Sequence, residues 1–180
     1  MEIDRIVRIV TEIDIRPIGQ IIGLIAVTIS VFSYQAKTKN KILFLQVVSN
    51  SLNIVHYLLI QGYSGFYIKI VAVIRDSFLI EKEKHKKLNS KLFLYLFIIA
   101  YLLIAIFTYD RLTSIFVLFA VLVYTIIIWD GNEKSVRVAA VITCMLWLAY
   151  NVSVRSYPNM LSNAITLISA FIALIRRKEK

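Results

Sequence analysis

The sequence predicts an all-α, polytopic membrane protein: seven transmembrane helices, arranged as two parallel three-helix repeats joined by a linker helix. Three observations carry this expectation. Hydrophobic residues make up 59% of the 180-residue chain, above the roughly 45–50% of a soluble domain, and they fall in long runs. The basic residues behind the net charge of +10 cluster between those runs. The pattern of the first three runs also returns in the last three at an offset of 94 residues.

Residues 1–16 alternate charge with Ile and Val. Ile3, Ile6, Val7, Val10 and Ile13 share a helical face, while Glu2, Asp4, Arg5, Arg8 and Glu12 lie mostly off it. That is too charged to span a bilayer and predicts an amphipathic segment on its surface. A disordered leader is the other reading. Pro17 suits a helix start, and the first span follows over 18–34, with Gly19 and Gly23 spaced for close helix contact. Lys37, Lys39 and Lys41 form a basic loop before the second span, 42–60. A Gly-containing turn leads to the third span, 65–80. The segment 81–91, EKEKHKKLNSK, is the one real linker. Span four, 92–108, is Leu, Ile, Phe and Tyr with nothing strongly polar. The turn at Tyr109, Asp110 and Arg111 precedes span five, 112–129. Asp130 to Ser135 is a polar loop, span six covers 136–154, and Pro158 opens span seven, 159–175, which Arg176, Arg177 and Lys178 stop. The domain division that follows is 1–16, 17–80, 81–108 and 109–180.

Basic loops at membrane level meet anionic lipid headgroups, so the bilayer, rather than nucleic acid, is the expected partner of the positive charge. Seven spans put the termini on opposite sides. The N-terminal side carries Arg5, Arg8, Arg16, Arg111 and Arg155. The basic residues of 35–41, 81–91, 130–137 and the C-terminus outnumber them, which predicts an external N-terminus and a cytoplasmic C-terminus. The single cysteine, Cys144, permits no intrachain disulfide and reads as a small packing residue. No Cys/His cluster has metal-ligand spacing, and no cofactor is expected. The N-terminus has mixed charge and no small-residue cleavage site, so no cleavable signal peptide is expected. No Ser, His and Asp set recurs at membrane depth and no phosphate-binding loop appears, so an enzyme is not expected.

The stretch Gln46–Lys69 is the chemical centre. Gln46, Asn50, Asn53 and Tyr57 recur at helical spacing, as do Ser49, Asn53 and His56, making one polar stripe along an otherwise apolar span. Such groups usually face a bundle interior or a water-filled cavity. Asn residues at such depth also serve as helix–helix glue. His56 reads either as a proton relay or as a partner of nearby backbone or Tyr. Lys69 reads either as snorkelling to the outer surface or as an inward cation favouring an anionic or hydroxyl-rich ligand. Arg75 and Asp76 are adjacent and are not expected to face each other on a helix; Arg75 is expected to reach the cytoplasmic headgroups. Tyr34, Tyr63, Tyr109, Trp129 and Tyr157 read as interface anchors.

The 94-residue offset lays Leu52 on Leu146, His56 on Tyr150, Tyr63 on Tyr157 and Lys69 on Asn163. Spans one to three then correspond to spans five to seven, and the intervening span gives both triplets one orientation. This 3+1+3 layout resembles that of the SWEET sugar transporters and their PQ-loop relatives. The glutamine-bearing start of span two, VHYLLIQGYSG, the Ile74-Arg75 pair, and MLWLAYNVSVRSYPNMLSNAITLISAFIALIR look more like the bacterial inner-membrane YgjV family, over roughly residues 18–177. The SWEET resemblance implies that a Trp on the second helix of a triplet and an Asn on the third line a sugar pocket. Trp147 and Asn163 stand at those places, and Asn53 and Lys69 are their first-repeat counterparts. The proline of the SWEET-like first helix is absent from spans one and five.

The sequence therefore predicts a small-solute, sugar-type carrier or facilitator of the bacterial cytoplasmic membrane. Its site would lie at the midplane and draw on Asn53, His56, Lys69, Trp147, Asn151 and Asn163. The missing prolines favour a second reading, a non-transporting structural or interaction protein that keeps the fold. A small polar solute and a second copy of the chain complete the expected partners.

Overall fold

The computed structural model describes residues 15–85, 88, 90–109 and 112–178, with side chains to residue 167. The amphipathic segment expected over 1–16 lies outside the described residues except for its last two, and so do Asp110 and Arg111. Among the described residues there are seven helices and no strand: α1 (Arg16–Ser33), α2 (Lys39–Leu59), α3 (Tyr63–Lys84), α4 (Lys91–Phe107), α5 (Thr113–Trp129), α6 (Glu133–Ser153) and α7 (Tyr157–Lys178).

Capping explains where these helices begin. Pro17 sits in the first turn of α1, where its missing N–H costs nothing. The Thr38 side chain accepts a hydrogen bond from the Lys41 amide and starts α2. Asn132 accepts from the amides of Lys134 and Ser135 and starts α6, as N-caps do. Lys39 and Lys41 therefore belong to the first turn of α2 rather than to a loop, and the polar loop before α6 ends at Asn132. At the other end α3 continues through Lys84, so the linker expected over 81–91 is shorter than its composition suggested.

The repeat is visible in the backbone. Both bounds of α2 and α6 differ by the same 94 residues that separate Tyr57 from Asn151, and so do those of α3 and α7. The turns match bond by bond. The amides of Ile60 and Val154 reach back to His56 and Tyr150, and those of Gly62 and Ser156 to Tyr57 and Asn151. Gln61 and Arg155 occupy the left-handed region at φ 62 and φ 56, uncommon for residues with a Cβ. Packing follows the same symmetry. Helices α1, α2 and α3 form one unit, α5, α6 and α7 another, and α4 lies against α3 and α5. The units meet through α1 on α7, α3 on α5 and α2 on α6, a set that maps onto itself when the units are exchanged.

Gly19 and Gly23 let α1 approach α2. A Cβ at Gly19 would sit 2.9 Å from Leu59 Cβ, and one at Gly23 would sit 2.6 Å from His56 Nδ1. Two apolar layers cross the bundle. One contains Tyr57, Ile60, Tyr101, Val117, Tyr150 and Val154, and the other Ile42, Leu43, Leu79, Ile128, Trp129 and Val136. Trp129 is thus a core residue, stacked on Phe78 at 5.9 Å, and not an interface anchor. Tyr63, Tyr109 and Tyr157 are exposed.

The outside is apolar. Ile18, Ile21, Leu24 and Ile25 of α1, Leu92, Leu96, Ile99, Leu103 and Ile106 of α4, and Ile142 and Met145 of α6 are all exposed, as a lipid-facing surface requires. By length and composition α1, α2 and α6 are long and apolar enough to cross a membrane, while α4 and α5 are apolar but shorter, at 17 residues. Helix α3 has 22 residues, about 33 Å at 1.5 Å per residue. It holds Lys69, Arg75 and Asp76 within that length, and those groups point inward.

Candidate functional site

A polar cavity of about 120 Å³ lies between the two units, large enough for several water molecules. Its wall comes from both repeats: Asn50 and Asn53 of α2, Lys69 and Asp76 of α3, Tyr124 of α5, Trp147 and Asn151 of α6, and Asn159 and Asn163 of α7. The stripe on α2 faces it because Gln46, Asn50, Asn53 and Tyr57 share one side of the helix, and all four are buried.

The charged residues form one chain of contacts. Lys69 Nζ donates to Asn50 Oδ1 at 2.9 Å, and Asn50 Nδ2 donates to Asp76 Oδ2 at 3.2 Å. Arg75 Nε and Nη2 both donate to Asp76 Oδ1, at 2.9 and 2.8 Å. Arg75 Nη1 bonds the hydroxyls of Tyr101 and Thr125, and its guanidinium lies 5.0 Å from the Tyr124 ring centroid. Arg75 is therefore buried, 3% exposed, and does not reach headgroups. Neighbouring side chains on a helix diverge, but the arginine stem is long enough to fold back onto the carboxylate beside it. Tyr101, mid-way along α4, supplies this polar contact from a helix that reads as featureless.

Lys69 points inward. Its ammonium sits 4.5 Å from the Trp147 ring centroid, a cation–π contact that joins first-unit charge to second-unit aromatic. Among the described residues no carboxylate pairs with it. Asn163 lies across the same cavity with its Nδ2 buried and without a partner among the described residues. Asn53 Nδ2 bonds the Ser49 carbonyl, and its Oδ1 accepts from Asn159 Nδ2 at 3.0 Å. Asn151 Oδ1 accepts from the Tyr57 hydroxyl at 2.6 Å.

The cavity thus brings together Asn53, Lys69, Trp147, Asn151 and Asn163, and His56 stands outside it. The Gly19 carbonyl is 2.7 Å from His56 Nδ1, which makes that nitrogen the donor, and Nε2 then accepts from the Ser156 hydroxyl at 2.7 Å. The hydroxyl of Tyr150, the residue at the matching place in the second unit, accepts from the Gly65 amide of the first, at 2.7 Å. His56 and Tyr150 each reach across to the other unit, His56 to Ser156 in its turn and Tyr150 to Gly65 in the first turn of α3. Sequence reasoning missed Asn50, Asp76, Tyr124 and Asn159. Asn50 was legible on the stripe, whereas Asp76 was masked by the expectation for Arg75. Cys144 borders the cavity as well as packing. No group of His, Cys, Asp or Glu among the described residues has the arrangement of a metal site.

Fold and cavity together define a class: a multi-pass helical membrane protein built from a duplicated three-helix unit around a charged polar cavity. The profile of a family described as Imp-YgjV, bacterial inner membrane protein, matches residues 17–180. The chain belongs to that family and is a bacterial inner-membrane protein. No curated protein and no solved structure matches it.

Proposed function

We propose that this protein is a small-solute carrier or facilitator of the bacterial inner membrane, SWEET-like in layout, whose site is the cavity between the two units. The observation that carries the reading is the concentration of buried polar side chains there. Asn50 and Asn53 sit near the middle of α2, and Lys69, Asp76, Trp147 and Asn163 face them from three other helices. Intramembrane charge is costly and is kept mainly where it serves a pathway or a ligand. In this reading the N-terminus is external, the basic loops and C-terminus meet cytoplasmic anionic headgroups, and no covalent chemistry takes place.

The test is flux. Purified protein in liposomes should accelerate equilibration of glucose or gluconate over protein-free liposomes, and Asn53→Leu with Asn163→Leu should abolish the difference. Background rates for both solutes in the wild type would support the second reading, a structural or interaction protein. That reading has its own observations. Apolar layers flank the cavity, direct bonds such as Tyr57 to Asn151 tie the units together, and Pro17, at the very start of α1, is the one proline in α1 or α5.

A further inference from the structure

Resting on that reading of the cavity, we propose that its ligand is a small monoanion, such as a carboxylate-bearing solute, held by Lys69 together with Asn163. The charged side chains lining the cavity, among the described residues, are Lys69, Arg75 and Asp76. Asp76 is taken up by Arg75 through two hydrogen bonds to one oxygen and by Asn50 through the other. One positive charge is left over, on Lys69. Its surroundings, the Asn50 side-chain Oδ1 and the Trp147 ring, stabilise a cation without neutralising it. A half-buried charge without a counter-charge still costs stability, and a mobile anion entering the cavity lowers that cost for as long as it is bound.

The second observation is independent of charge. Asn163 Nδ2 is a buried donor with no acceptor among the described residues, which costs stability unless something in the cavity accepts from it. Lys69 and Asn163 are separated by the offset that relates the two units. Each is the seventh residue of its helix, α3 in one unit and α7 in the other. A ligand between the units therefore meets an ammonium from one side and an amide N–H from the other, both donors. A carboxylate, with acceptors only, satisfies both. A cation is repelled, and a neutral polyol leaves the charge uncompensated. Trp147, whose face already carries the Lys69 ammonium, supplies an apolar wall for the body of the solute.

Binding is read by thermal shift on the detergent-purified full chain, with two matched pairs of probes: lactate against lactamide, and gluconate against glucose. The expected result is stabilisation by at least one anion and not by its neutral partner. The apparent affinity should fall about tenfold or more in Lys69→Gln, because a charge-assisted hydrogen bond contributes on that scale, and Lys69→Arg should retain the preference. Neutral probes binding as well as the anions would overturn the charge inference while leaving the cavity as a solute site. Anions binding equally to wild type and Lys69→Gln would remove Lys69 as their ligand and overturn the proposal. Silence from all four probes, with no flux in liposomes, would overturn both this inference and the carrier reading. If Lys69→Gln fails to fold, the anion-against-neutral comparison in the wild type still decides.

Discussion

Replacing Asp76 with Asn keeps the shape of the side chain and removes its charge. Asp76 is 1% exposed and accepts three hydrogen bonds, two from Arg75 and one from Asn50. Asn at this position can still accept from Arg75 through its oxygen, but its amide then faces the Asn50 amide, donor against donor. The Arg75 guanidinium, which keeps Tyr101 and Thr125 as partners, loses its counter-charge, and the cavity is left with two cations. Breaking a buried ion pair from one side costs about 3–5 kcal/mol. At about 2–4 °C per kcal/mol for a chain of this length, the midpoint of thermal unfolding should fall by roughly 6–20 °C. The assay is intrinsic tryptophan fluorescence of protein purified in detergent, since Trp147 borders the cavity and Trp129 lies in the apolar layer beyond it. The double variant Arg75→Gln, Asp76→Asn should cost less than the sum of its parts, because the two residues share one network. A shift of less than about 2 °C in Asp76→Asn would mean that the pair is not holding the site together, and the charge argument would fail with it.

Two further predictions concern the frame. Gly23→Ala should destabilise by about 1–3 kcal/mol through overpacking, because its Cβ would sit 2.6 Å from His56 Nδ1; adding His56→Ala should recover part of the loss, and no recovery would show that His56 is not what the new methyl meets. Gln61→Gly and Arg155→Gly should each be neutral or stabilising by up to about 1 kcal/mol, since both positions have positive φ. Opposite signs at the two positions in thermal unfolding would contradict the equivalence of the turns.

The hydrophobic runs located the helices because a bilayer demands about 20 apolar residues per crossing, and periodicity aimed the polar stripe of α2 because a helix turns every 3.6 residues. The repeat was legible in Tyr63 over Tyr157 and Lys69 over Asn163, positions that side-chain chemistry marks even where identity is low. Helix ends shifted because Thr38 and Asn132 cap across basic and polar residues that composition alone assigns to loops. The partners of the polar groups were less accessible, since they depend on long-range packing. His56 finds Gly19 and Ser156 on two other segments, and nothing within its own helix marks it as a brace rather than a cavity residue. Trp129 ends its span as an interface anchor would, yet Lys82 over its ring and Phe78 beside it belong to α3. Arg75 and Asp76 illustrate the limit of spacing rules: adjacency excludes a shared face but not contact when one stem is long.

On the proposal made above, the space between the two units is reached by aqueous solute and selects negative charge. Cys144, the single cysteine, borders that space and reports on it without any engineered residue. Membrane vesicles of both orientations would be treated with two membrane-impermeant methanethiosulfonates, one carrying a sulfonate and the other a trimethylammonium group. Cys144 in the native protein is expected to be modified from both sides, with the sulfonate reagent favoured once each rate is divided by that reagent's rate with a free thiol, and Lys69→Gln should remove that preference. A Cys144 that resists both reagents from both sides, yet reacts once the protein is unfolded, would contradict the account and leave a closed scaffold in place of a carrier.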